Sequence, residues 1–258
     1  MRRIEGVEYG AVPGFRPLEL DLYLPDGEST AGAVEVPVIV HVHGGGWRLG
    51  SRRRPLPRLG ADFYPAMVRA GFAVAAIDYR LSGEARYPAA ADDVRAAVAG
   101  VAEIMASHGV GAGQVFLWGD SAGGHLALLA ALTGPAVAGV VAWFPVTDLT
   151  AMPDTVDPGT REALFLGAPA ADVPDLAREA SPISHVRADA PPMLIMHGDS
   201  DTLVATTQSV DFAAALTAAG GSAELVLVPG ASHFWDGAED VAALHRRSLD
   251  FLRKIVES

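Results

Sequence analysis

The stretch "WGDSAGGHLALLAAL", residues 118–132, decides the fold. It sets Ser121 between Gly119 and Gly123, where a short apolar run gives way to a helical one. A strand that turns sharply into a helix forces the corner residue into a strained backbone conformation. Small residues two before and two after it relieve the crowding. The turn would display the serine oxygen at the C-terminal edge of a sheet and at the N-terminus of a helix, whose partial positive charge favours a developing oxyanion.

Working outward, the chain alternates strand-like and helix-like segments. In "LELDLYL", residues 18–24, leucines recur at every second position, as in a half-exposed antiparallel strand. "PVIVHVHG", "FAVAAIDY", "VFLWGD", "GVVAWFP", "PMLIMHGD" and "AELVLVPG" are short apolar runs stopped by Gly, Asp or Pro, which suits strands buried on both faces of a mostly parallel sheet. Helical spacing fills residues 89–107, 122–132, 206–219 and 239–256. The order predicts an α/β fold: a mostly parallel, doubly wound sheet with helices on both faces, formed as a single domain over residues 1–258. Residues 148–190 break the rhythm with a Pro-, Ala- and Asp-rich excursion that holds no clear strand. Such excursions are usually lids or binding loops, so a small cap insertion is expected here.

Composition narrows the function. The 258 residues are half apolar, enough for a large core. A formal net charge of −12 argues against nucleic acid or an anionic membrane as partner. With no cysteine there is no disulfide, thiolate metal site or cysteine nucleophile. The N-terminal "MRRIEGVEYG" lacks an apolar signal region, and no apolar stretch is long enough to span a bilayer, so a cytoplasmic protein is expected.

Several other residues fit the chemistry of an exposed serine. "VHVHGGGW", residues 40–47, ends a strand in Gly44, Gly45 and Gly46, a loop whose backbone N–H groups can approach a substrate oxygen with no side chain in the way. Trp47 follows, placed to wall an acyl or alcohol site. His233 in "VPGASHFW" lies just past the last apolar run and is the candidate base. His108 and His245 read as helical surface positions, and His197 as a strand interior. The orienting carboxylate should come from the end of "MLIMHGDSDTLV", which offers Asp199 and Asp201. His41 and His43, two apart on a strand, could in principle share a zinc ion, but a third ligand would be needed and the glycine loop already accounts for His43, so no metal site is expected. "RLGSRRRPLPR", residues 48–58, carries five arginines, either a dock for an anionic substrate group or a solvated loop with local salt bridges; the second is the commoner use of a charge run.

Taken together, "HGGGWRLGSRRR", "IDYRLSGEARYPAAADDVRAAV", "WGDSAGGHLA", "ASPISHV", "PPMLIMHGDSDTLV" and "VPGASHF" resemble the α/β-hydrolase superfamily, closest to small carboxylesterases and arylformamidases. The resemblance covers nearly the whole chain. It implies Ser121 as nucleophile, Asp201 as acid and His233 as base, in the chain order this fold uses, with the N–H groups of Ala122, Gly45 and Gly46 as the oxyanion hole. With 42 residues before His43, the cap must come mainly from residues 148–190 rather than from a helical N-terminal extension. The implied activity is hydrolysis of short-chain or aryl carboxylic esters through an acyl-enzyme, without a cofactor, acting on a small ester or amide. Arylformamidase-type amide hydrolysis is the alternative. An acyltransferase, or a non-catalytic binding protein of the same fold, fits less well, since such binders have typically lost a triad residue.

Overall fold

The computed structural model describes residues 1–26, 35–53 and 60–258. Eight strands form one sheet in the order β1-β2-β4-β3-β5-β6-β7-β8. They are β1 (Arg2–Gly10), β2 (Leu18–Leu24), β3 (Val36–Val42), β4 (Ala73–Ile77), β5 (Ala112–Asp120), β6 (Gly139–Trp143), β7 (Met193–Gly198) and β8 (Ala223–Val228). β1 and β2, and β2 and β4, pair antiparallel; every other pairing is parallel.

Period-2 alternation divides the strand side chains between two apolar layers. Val38, Val40, Val42 and Leu117 face one layer with α2 (Ala89–Ser107), α3 (Ala122–Thr133) and α6 (Thr207–Ala218). Ile39, Phe116, Trp118 and Trp143 face the other, with α1 (Phe63–Arg69) and α7 (Val241–Val256). Residues 148–190 hold no strand and carry two short helices, α4 (Arg161–Leu166) and α5 (Pro174–Glu179). The four longer helices lie within two residues of their expected bounds, whereas the sequence pattern does not show β1 and α1, β1 because Arg, Glu and Gly interrupt its few apolar positions along a largely exposed edge.

Three expectations need correction. β2 is not half-exposed, because Asp21 and Tyr23 on its second face are buried as well. There Arg52 Nε donates to Asp21 Oδ1 at 2.7 Å and Arg52 Nη2 to Glu19 Oε2 at 2.8 Å, while its Nη1 pairs with Asp78. Burial alone would raise the Asp21 carboxyl, but hydrogen bonds from Arg52 and Arg3 hold it below its ordinary value. β8 is not buried on both faces; as the last strand it exposes Leu227. His245 is not a surface residue. It is buried on α7 among Phe63, Trp118 and Trp143, which form part of the layer between that helix and the sheet.

The chain passes from β3 to β4 on one side, then returns to β5 on the other. The strand order therefore reverses between β3 and β5, and open α/β sheets bind ligands at the carboxyl ends of such strands. The 43–50 loop leaves β3 at that end, and Ser121 leaves β5 there.

Candidate active site

Ser121 has φ 53 and ψ −120, outside the regions ordinary residues favour. The surrounding backbone leaves no room for alternatives. A Cβ on Gly119 would overlap Gly123 O, and one on Gly123 would overlap Val42 O. These are backbone atoms, so the two glycines allow β5 to turn into α3 while α3 sits against the end of β3. His233 Nε2 lies 3.0 Å from Ser121 Oγ, and His233 Nδ1 lies 2.6 Å from Asp201 Oδ2. A carboxylate can only accept, so Nδ1–H donates to Asp201 and Nε2 accepts from the serine hydroxyl. All three side chains are buried or nearly so. The rings of Phe144 and Phe234 pack on the imidazole with centroids at 4.5 and 4.4 Å.

Asp201 sits in a dense set of donors. The N–H groups of Leu203 and Val204 reach Oδ1 at 2.8 and 3.0 Å, and His197 Nε2 reaches Oδ2 at 3.1 Å. The same Nε2 faces Val204 O at 3.0 Å, a group that can only accept, so it carries the proton, and Nδ1 accepts from Ser209 Oγ at 2.7 Å. Burial acts to raise the Asp201 carboxyl, but the hydrogen bonds from His197, His233 and Val204 overcome it and hold the group well below the ordinary carboxylate range. His197 is a site residue that reading the sequence as strand interior missed; its one signal there is its spacing of four from Asp201. Asp199 faces elsewhere, with Oδ1 accepting from Gly230 N at 2.8 Å and Ser200 Oγ at 3.0 Å.

The glycine loop runs beside the serine. Gly45 and Gly46 have φ of 122 and 60. The turn closes through Leu49 N to Gly45 O at 3.0 Å, which leaves the Gly45 and Gly46 N–H groups out of its closure. Ala122, the first residue of α3, has no intrahelical acceptor for its N–H. Beneath the loop, burial pushes the Asp120 carboxyl up to about 7, eased by the Gly44 N–H. Trp47 is buried at φ 55, stacks on Phe165 at 4.8 Å and donates to His125 Nδ1 at 3.1 Å. His41 and His43 diverge: the first meets Phe63 and Tyr64, while the second stacks on Tyr79 at 4.3 Å.

A cavity of about 430 Å³ opens over Ser121, with Gly46, Trp47 and Ala122 on one side and Met152 and Arg161 from residues 148–190 on the other. Its volume lies in the range of small-molecule sites. A serine hydroxyl bonded to an imidazole, itself oriented by a buried carboxylate, can lose its proton as it attacks a carbonyl carbon, and unpaired N–H groups beside it can hold the oxygen that becomes charged.

The sequence profile of the BD-FAE family matches residues 20–216. The chain belongs to the BD-FAE family. It is 34% identical to esterase LipQ of Mycobacterium tuberculosis over 91% of this chain and 58% of the relative, and 31% identical to the probable carboxylic ester hydrolase LipM of the same organism over 80% and 49%. The chain thus spans about half the length of these curated relatives. Among solved structures, this BD-FAE member superposes on a truncated carbohydrate esterase from gut microbiota with a TM-score of 0.85 at 28% identity, covering 100% of this chain and 97% of that one. It also matches butyrate-bound esterase 2 of Thermogutta terrifontis, with a TM-score of 0.74, 26% identity and 98% and 92% coverage. The fold is that of the α/β hydrolases. No helix among the described residues is long and apolar enough to cross a membrane.

Proposed function

We propose that this BD-FAE member is a serine hydrolase of small carboxylic esters. The observation that carries the reading is the chain of hydrogen bonds Asp201–His233–Ser121, which ends on the serine that lines the cavity. His233 takes the Ser121 proton as the oxygen attacks the ester carbonyl. The tetrahedral oxyanion is held by the N–H groups of Ala122 with Gly45 and Gly46. His233 then protonates the departing alcohol, and water repeats the sequence on the acyl-enzyme. Asp201 holds the imidazole in the tautomer this needs, and His197 holds Asp201. Residues 148–190 act as the lid, and Trp47 braces the wall of the site.

The cavity favours short-chain or aryl esters over fatty-acyl esters, because an apolar pocket gains little from a chain it cannot enclose. The similarity to an esterase solved with butyrate agrees with that size. The test is a series of p-nitrophenyl esters together with labelling by a paraoxon-type organophosphate. Acetate and butyrate esters should turn over faster than palmitate, and digestion with mass spectrometry should find one adduct, on Ser121. Ser121→Ala should lose both turnover and label. A label on another residue, or turnover retained in Ser121→Ala, overturns the assignment.

A further inference from the structure

The arginine run after the glycine loop divides in the folded chain. Arg52 is bound by Asp21, Asp78 and Glu19, and Arg53 lies 3.8 Å from Glu5; Arg54 and Arg58 lie outside the described residues. Arg48 instead lines the cavity over Ser121, where Arg161 of α4 joins it. In a chain with 31 acidic against 19 basic residues, arginines find carboxylates easily. Among the described residues, Arg48, Arg86 and Arg161 are the ones with neither a carboxylate nor a carbonyl partner, and two of the three line this one cavity.

Arg161 is the better placed. It is half-buried, and its stem lies against the oxyanion loop, since a Cβ on Gly46 would run into Arg161 Cδ. A half-buried guanidinium keeps five donors in a planar fork that matches a carboxylate. Partly shielded from solvent and free of an internal carboxylate partner, it binds an incoming anion without first breaking a salt bridge. Asp154 and Glu162 also line the cavity, yet neither lies within ion-pair distance of the two arginines. Their charges oppose a second negative charge on the ligand, which favours a monoanion over a phosphate dianion.

We infer that the site takes esters bearing one carboxylate, received by Arg161 with Arg48 at the mouth. This rests on the ester-hydrolase reading above and names its substrate class. Two pairs of probes test it. p-Nitrophenyl hydrogen glutarate against p-nitrophenyl valerate puts the charge on the acyl group. 4-Butyryloxybenzoate against 4-methylphenyl butyrate puts it on the leaving group. In the wild type, the charged member of at least one pair should have the higher kcat/KM, with the ratio falling as salt is added. Arg161→Gln should lower that ratio about tenfold, mainly through KM, and Arg161→Glu further. Arg161→Lys should restore part of it, a rescue that a merely structural role would not show. Binding of monomethyl glutarate against dimethyl glutarate, followed by NMR in Ser121→Ala, reads the dock without turnover. If no ester of either kind is hydrolysed but monomethyl glutarate binds and Arg161→Gln abolishes it, the dock stands and the hydrolase reading falls. Neutral esters preferred in both pairs, or a charged-to-neutral ratio unmoved by Arg161→Gln, overturns the inference while leaving the hydrolase reading intact.

Discussion

Two aspartates two positions apart show how fully local partners assign a role. Asp201 Oδ2 faces His233 and His197 while its Oδ1 takes two backbone N–H groups, so it is both held and committed. Asp199 bonds Gly230 N and Ser200 and so ties the β7 loop to the turn before His233. Asp201→Asn should leave the fold standing but lower kcat by on the order of 10⁴, because an amide in that place favours the wrong imidazole tautomer. Asp199→Asn should cost about 1 kcal/mol of stability and little activity, the worth of one turn hydrogen bond. Both variants are checked by kcat and thermal midpoint. The reverse pattern, with Asp199→Asn inactive at an unchanged midpoint, contradicts the triad proposed above.

At the scale of elements, the elbow is a backbone-to-backbone contact. Gly123→Ala would drive a methyl into Val42 O, at the strand end paired to β5, and into the His43 carbonyl, which accepts from Tyr79 Oη, so the strand end must shift. A loss of about 3 kcal/mol or more is expected, seen as a collapse of soluble yield or a large fall in thermal midpoint. Gly83→Ala is the control: nothing lies within 4 Å of its added methyl, and the change should stay within about 0.5 kcal/mol. Arg52 joins elements by charge instead, linking the loop after β3 to Asp21 on β2 and Asp78 past β4. Arg52→Ala leaves Asp21 buried without that partner and should destabilise by about 3–5 kcal/mol by chemical denaturation. Arg52→Lys should recover part of that loss, as one point charge cannot serve three carboxylates in the same geometry.

Across the whole molecule, buried imidazoles set the response to acid. Burial lowers His41 to about 3, and His125 and His245 to about 4, and it lowers His43 as well. The unfolded chain binds these protons below about 6.5 while the folded chain does not. Stability is therefore complete above about pH 6.5 and is lost as pH falls toward 4, at about 1.4 kcal/mol per pH unit for each such group. Asp120 works the other way. Its raised carboxyl binds a proton in the folded state that the unfolded chain releases above about pH 4, so it costs stability as pH rises from 4 to 7. One group opposes four, and the thermal midpoint should fall from pH 7 to pH 5. His245→Phe removes one of the four from an aromatic setting where its Nε2 has no partner, so the slope should become shallower. A midpoint that rises on acidification over this range contradicts the sign.

The sequence by itself determined the alternation of strands and helices, the elbow around Ser121 and the glycine loop. In each, the physics is local: apolar periodicity, the room a missing Cβ leaves, and the stop signals at strand ends. The same locality made the four long helices legible nearly to their ends, while the charged edge strand β1 and the short α1 gave too weak a pattern to read. The residue pattern alone left Asp199 and Asp201 both open, with only the family resemblance favouring Asp201; the tertiary structure brings Asp201 to His233, since both aspartates follow one strand and differ only in which way the loop turns. It also buried His245, covered the second face of β2 and revealed His197 behind Asp201, because burial depends on what packs against a residue from far along the chain. The five arginines after the glycine loop carry the same lesson. Composition sees one basic run, but the fold spends Arg52 on buried carboxylates from two other strands' neighbourhoods and turns Arg48 to the cavity beside Arg161, a residue more than a hundred positions away.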